Sequence, residues 1–77
     1  MVRAAFDPHP AHLWTLTRDD QIASCDVRFV RSGVEVRVLR KGTRLFSRIF
    51  DNGDDALTEA REEQLRMLAD GWQVSPV

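Results

Sequence analysis

Between Cys25 and Phe50 the chain reads CDVRFVRSGVEVRVLRKGTRLFSRIF, and no other stretch limits the fold as much. Apolar and polar residues alternate with a period of two, the spacing that sends successive side chains to opposite faces of a strand. Cys25, Val27 and Phe29 fall on one face, with Asp26 and Arg28 on the other. Val34, Val36 and Val38 continue the apolar face, with Glu35 and Arg37 opposite. Ser32-Gly33 reads as a two-residue hairpin loop. It would pair Phe29 with Val36, Val27 with Val38, and Arg28 with Arg37. Lys41-Gly42 signals a second hairpin. A two-residue loop there turns Leu45, Ser47 and Ile49 inward through most of the last strand, and a bulge near its end would bring Phe50 in. A three-residue loop with a glycine bulge would instead turn Phe46 and Phe50 inward.

The flanks complete the architecture. Leu13 to Thr17 is rich in strand formers, and Trp14 and Leu16 share a face. Arg18-Asp19-Asp20-Gln21 is a polar turn, since aspartate caps its own backbone. After Phe50, the run Asp51-Asn52-Gly53-Asp54-Asp55 both breaks the sheet and starts a helix, because Asx residues cap first turns and their charge suits the helix N-terminus. The helix is predicted from about Asp54 to Asp70. Its apolar stripe is Ala56, Leu57, Ala60, Gln64, Met67 and Leu68, flanked by Leu65. Glu59, Glu62, Glu63, Arg66 and Asp70 lie opposite. Gly71 follows as the residue that lets a helix end in a left-handed conformation. The fold class is therefore α+β: a four-stranded antiparallel meander, β-β-β-β-α, with one C-terminal helix packed on one face. The expected organisation is an extended arm over 1–12, where Pro8 and Pro10 oppose a sheet, a single domain over 13–72, and a tail over 73–77.

Composition narrows the classes further. Seventy-seven residues leave room for one small core, near the lower edge of independent stability, and such domains often gain from a partner subunit. Eleven Lys+Arg against twelve Asp+Glu give a net charge of -1, which speaks against a surface that grips nucleic acid everywhere but permits a local basic patch. Lys41 is the lone lysine, and so arginine-biased a basic set fits codon usage in a GC-rich genome. Cys25 is the lone cysteine, so no intramolecular disulfide marks an oxidising compartment. No apolar run is long enough to span a membrane. The N-terminal MVRAAFDPHPAHLW lacks the apolar core of a secretory signal, so a cytoplasmic location is expected.

The segments W-T-L-T, C-x-V-R, G-x-E-V-x-V-L-R-K-G and S-R-I-F-D, an Ala-rich acidic helix and a closing G-W together form a frame. Over Leu13 to Trp72 the chain resembles a group of short bacterial hypothetical proteins that share it. Val34 stands where that frame commonly has an aromatic, and DNGDDA where it commonly has an Arg-containing helix start. Neither departure changes the meander-plus-helix reading, and the resemblance brings no active residues with it.

One helix covers one sheet face, so function is sought first on the other. The residues expected there are Ser24, Asp26, Arg28, Val30, Glu35, Arg37, Leu39, Arg44, Phe46 and Arg48. Arg28 and Arg37 directly opposite each other would be a costly like-charge pair, relieved by a bound anion or by Asp26 and Glu35 nearby. The plainest reading is a solvated, salt-bridged face. A second is a surface for self-association or a protein partner. A third is single-stranded nucleic acid, with arginines on phosphates and Phe46 stacking on bases. The candidate contact residues are Arg28, Arg37, Phe46, Arg48 and Arg44.

The remaining candidates fit structure better than chemistry. Cys25 on the apolar face is a core residue rather than a thiol nucleophile. His9 and His12 in H-P-A-H lack the geometry and further ligands of a metal site. Asp51, Asp54, Asp55 and Glu59 lack the spacing of a calcium loop. Trp14 and Trp72 are expected to lie together, pinning the helix C-terminus to the first strand. No nucleophile-base pair and no glycine-rich phosphate loop can be assembled. The chain therefore points to no catalytic residue, cofactor, metal or small-molecule substrate. It reads as a non-enzymatic interaction module acting through the open sheet face or the edge strand, with single-stranded DNA or RNA binding as the alternative.

Overall fold

The computed structural model describes residues 10–41 and 43–75. Four strands, β1 (Ala11–Arg18), β2 (Gln21–Val30), β3 (Gly33–Arg40) and β4 (Thr43–Phe50), form an antiparallel meander. Helix α1 (Gly53–Ala69) packs on one face, chiefly over β3 and then β4. A two-residue strand, β5 (Gln73–Val74), returns to pair with β1, so the sheet runs β4-β3-β2-β1-β5. The α+β class and the meander are as the residue pattern predicts. β5 is the addition: Gln73 and Val74 pair with Thr17 and Leu16, and the Ser75 N–H donates to the Thr15 carbonyl at 3.1 Å. The expected arm lies mostly outside the described residues, although β1 already begins at Ala11. His9, Gly42, Pro76 and Val77 lie outside them as well.

The core is built from one sheet face. Trp14, Leu16, Ala23, Cys25, Val34, Val36 and Val38 are buried against Ala56, Ala60 and Trp72. Phe29 departs from the expectation: on the same face, it is 55% exposed, near the end of β2 beside the turn to β3. Val27 is half-buried.

The β2–β3 register also departs from the expectation, by two residues. The loop is Arg31-Ser32, and Val30 pairs with Gly33. Arg28 therefore faces Glu35 and Asp26 faces Arg37, in place of Arg28 against Arg37. A two-residue slip leaves every side chain on its original face, so the apolar alternation cannot choose between the two pairings. Charge can: one pairing opposes two arginines, while the other makes two ion pairs. Gly33 fits this choice, because its φ is +149° and a Cβ there would overlap the Phe50 carbonyl oxygen.

The last strand is the second correction. Arg40 pairs with Thr43, Leu39 with Arg44, and Val38 with Phe46, so Leu45 is an inserted residue. This bulge reverses the alternation beyond it. Phe46, Arg48 and Phe50 face the helix, opposite Val38, Val36 and Val34, and the expected inward set Leu45, Ser47 and Ile49 does not. The result is two aromatic groups packed on the core, with Leu45 and Ile49 left 51% and 54% exposed.

Helix α1 is rotated relative to its predicted stripe. Ala56 and Ala60 are buried, and small side chains let the helix axis come close to the sheet. Leu57 and Leu65 are half exposed, while the Glu59 and Glu63 side chains retain only 16% and 21% exposure. Arg48, turned inward by the bulge, draws Glu59 in at 3.5 Å, and Arg66 holds both acids. Asn52 caps the helix, its Oδ1 accepting from the Asp55 N–H at 2.9 Å. At the other end Gly71 takes φ +100°. The Trp72 N–H reaches the Met67 carbonyl and the Gly71 N–H the Leu68 carbonyl, which satisfies the last turn. Both tryptophans join the core, but they grip different parts of the helix. The Trp14 indole N–H donates to the Ala60 carbonyl at 3.0 Å, mid-helix. Trp72 lies 5.3 Å under the Arg18 guanidinium, which also bonds the Asp70 carbonyl and carboxylate.

Candidate functional site

The face away from the helix is built by alternate residues of β1 to β4. Its centre is two neighbouring ion pairs set by the β2–β3 register. Arg28 Nε donates to Glu35 at 2.6 Å, and the Glu35 side chain is only 9% exposed. Arg37 binds Asp26 through two parallel hydrogen bonds of 2.9 and 3.0 Å, a fork that matches the carboxylate geometry. The Asp26 hydrogen bond holds the Arg37 guanidinium above its ordinary pKa. Two arginines whose positive charge is met by adjacent carboxylates offer little attraction to a phosphate.

The predicted contact residues are therefore split. Arg28, Arg37 and Arg44 lie on the open face, Arg44 by its pairing with Leu39. Phe46 and Arg48 lie on the helix side: Phe46 packs on the core, and Arg48 meets Glu59 and sits 5.3 Å over the Phe50 ring. Among the described residues, no aromatic ring stands among the outward arginines. Of the other basic residues, Arg31 and Arg61 stand apart, while Arg40, Lys41 and Arg44 cluster at the β3–β4 turn, all exposed and making no ion pair among the described residues.

The residue pattern points to an edge strand but not to what lines it, nor to a groove beside the helix. β4 is an edge strand of eight residues with no strand beyond it among the described residues, and Leu45 and Ile49 are exposed along it. Long open edges present unpaired N–H and C=O groups, and proteins usually shorten, charge or cover them. The signal is the L-x-x-x-I spacing, which reads as core because the bulge has no sequence mark beyond Gly42. The other feature is an open groove of about 500 Å³ between the helix and β1, lined in part by Leu13, Trp14, Leu57, Leu65 and Leu68. It exists because α1 sits over β3 and β4 and leaves the β1 side less covered.

Cys25 is fully buried, and desolvation, helped by the Asp26 and Glu63 charges, pushes its thiol from 9.0 up to about 12. A thiol so held is no nucleophile near neutral pH. His12 Nε2 lies 2.6 Å from Thr15 Oγ1. Among the described residues there is no group of three or more His, Cys, Asp or Glu that could hold a metal, and no helix is long and apolar enough to cross a membrane. Comparison with protein-family models, with curated proteins and with solved structures gives no match.

Proposed function

We propose that this chain is a small non-enzymatic interaction module that self-associates or takes a protein partner through the β4 edge and the sheet face beside it. The observation that carries this is the eight-residue open edge with half-exposed Leu45 and Ile49 along it. Sheet extension gives affinity through the backbone and selectivity through the alternating side chains. The small size supports the same reading, since a second subunit adds buried surface that a domain of this length lacks.

Single-stranded nucleic acid is the second reading, and the exposed Arg40, Lys41 and Arg44 corner is what favours it. The test measures solution mass across a concentration series and fluorescence anisotropy with labelled oligonucleotides at low salt. Self-association predicts mass rising toward a dimer and loss of that rise in Ile49→Lys. The nucleic-acid reading predicts binding that weakens with salt and disappears in Arg44→Glu. Arg28 and Arg37 are unsuitable probes, since changing them strips partners from Glu35 and Asp26. A monomer at the highest soluble concentration, with no capture by the β4 edge of any strand peptide, would sink the leading reading.

A further inference from the structure

Resting on the self-association reading, we infer that the occupant of the β4 edge is a second copy of β4, joined antiparallel about a two-fold axis at Ser47. The backbone sets which residues can meet. The Phe50 carbonyl oxygen lies against Gly33 of β3, so it points inward to the sheet. Backbone groups alternate in direction along a strand, so those of Phe46 and Arg48 also face β3, and those of Ser47 and Ile49 face the open edge. A two-fold axis at Ser47 lets its N–H and C=O exchange both hydrogen bonds with the partner's Ser47.

Side-chain matching selects this register from its neighbours. An axis at Phe46 would set Leu45 beside the partner's Ser47 and leave Ile49 at the turn end of the partner strand, without an apolar neighbour. An axis at Arg48 would set two arginines directly opposite. Like charges in that position are destabilising. The axis at Ser47 opposes no like charges. It places Leu45 beside the partner's Ile49 and Ile49 beside the partner's Leu45, so the two exposed apolar groups of the edge cover each other. Phe46 comes beside the partner's Arg48, on the helix side of the sheet. Arg44 is carried toward the partner's Asp51, at the acidic helix start. A register displaced to Ile49 would shorten the paired run to little more than the end of the strand.

The axis stands perpendicular to the sheet, because identical residues opposed across it point to the same side. Both helices then lie on one face, and the two open faces form one continuous outer surface. Helix α1 packs more on β3 than on β4, which leaves room above the seam.

The test uses the full chain in several single and double variants. Ser47→Cys is expected to form an intermolecular disulfide rapidly under mild oxidation, found by peptide mapping as a link between position 47 of one copy and position 47 of the other. Arg44→Cys is not expected to link to itself, because opposed strand residues fall within disulfide range and the two copies of position 44 are not opposed. Leu45→Glu alone and Ile49→Lys alone are expected to lose the dimer mass. The double variant Leu45→Glu/Ile49→Lys is expected to regain it, since each new charge faces its opposite across the axis. A dimer in which Ser47→Cys stays reduced and the double variant is no better than the single ones overturns the register and leaves self-association standing. A monomer in every form, with the native circular dichroism retained, overturns both. In that case the bulge and the two arginines of β4 serve to protect the edge.

Discussion

Cys25 shows how a single position can be read for role and for consequence. It sits opposite Val38 and Trp14 in the middle of the sheet, with no exposure to solvent. Its folded pKa is raised above the unfolded value, so its contribution is complete below pH 9.0 and is lost as pH rises toward about 12. Each pH unit in that window removes up to about 1.4 kcal/mol. The melting temperature is therefore expected to fall through this range, and Cys25→Ala, although less stable near neutral pH, should show a flatter alkaline slope. An equal slope in both proteins would show that other groups set the alkaline limit. Under native conditions near neutral pH the thiol should also resist alkylating reagents.

At the scale of elements, the pairing of β2 with β3 rests on charge rather than on apolar pattern. Glu35 is nearly buried and has Arg28 as its ion-pair partner. Arg28→Glu should cost about 1–3 kcal/mol, because it leaves a buried carboxylate unpaired and adds a like charge beside it. Glu35→Arg should cost a similar amount by facing Arg28. The exchange of both residues should recover most of the loss, seen as a return of the urea midpoint toward wild type. If the double variant is as unstable as the sum of the single ones, the register is held by the turn and Gly33 instead. The same strands show what the period-two pattern conveys. It assigns faces for β1, β2 and β3 without error. It fails for β4, where one inserted residue at Leu45 exchanges Phe46 and Phe50 for Leu45 and Ile49 in the interior.

For the whole molecule, closure depends on the chain after the helix. Gly71 turns the backbone, Trp72 enters the core under Arg18, and Gln73–Val74 pairs with β1. Removing the indole in Trp72→Ala leaves a cavity and frees the helix end, a loss of about 3–5 kcal/mol. Thermal melting should move down by roughly ten degrees or more, given about 4–8 °C per kcal/mol for domains of this size. A shift of only a degree or two would mean that Trp72 is dispensable for closure and available for contact with another molecule.

The residue pattern by itself determined the fold class, the order of the meander, the helix and its glycine stop, and the burial of Cys25, Val34, Val36 and Val38. These follow from local periodicity and capping, which act over a few residues. It could not determine the two-residue register between β2 and β3, the bulge at Leu45, the docking of β5 or the rotation of the helix that tucks Glu59 beneath Arg48. Each of those depends on which groups meet across strands or layers. The candidate site suffered most from this, because a surface is whatever the register leaves outside. Arg28 and Arg37 became partners of Glu35 and Asp26, Phe46 and Arg48 turned to the helix side of the sheet, and the open edge of β4 took their place.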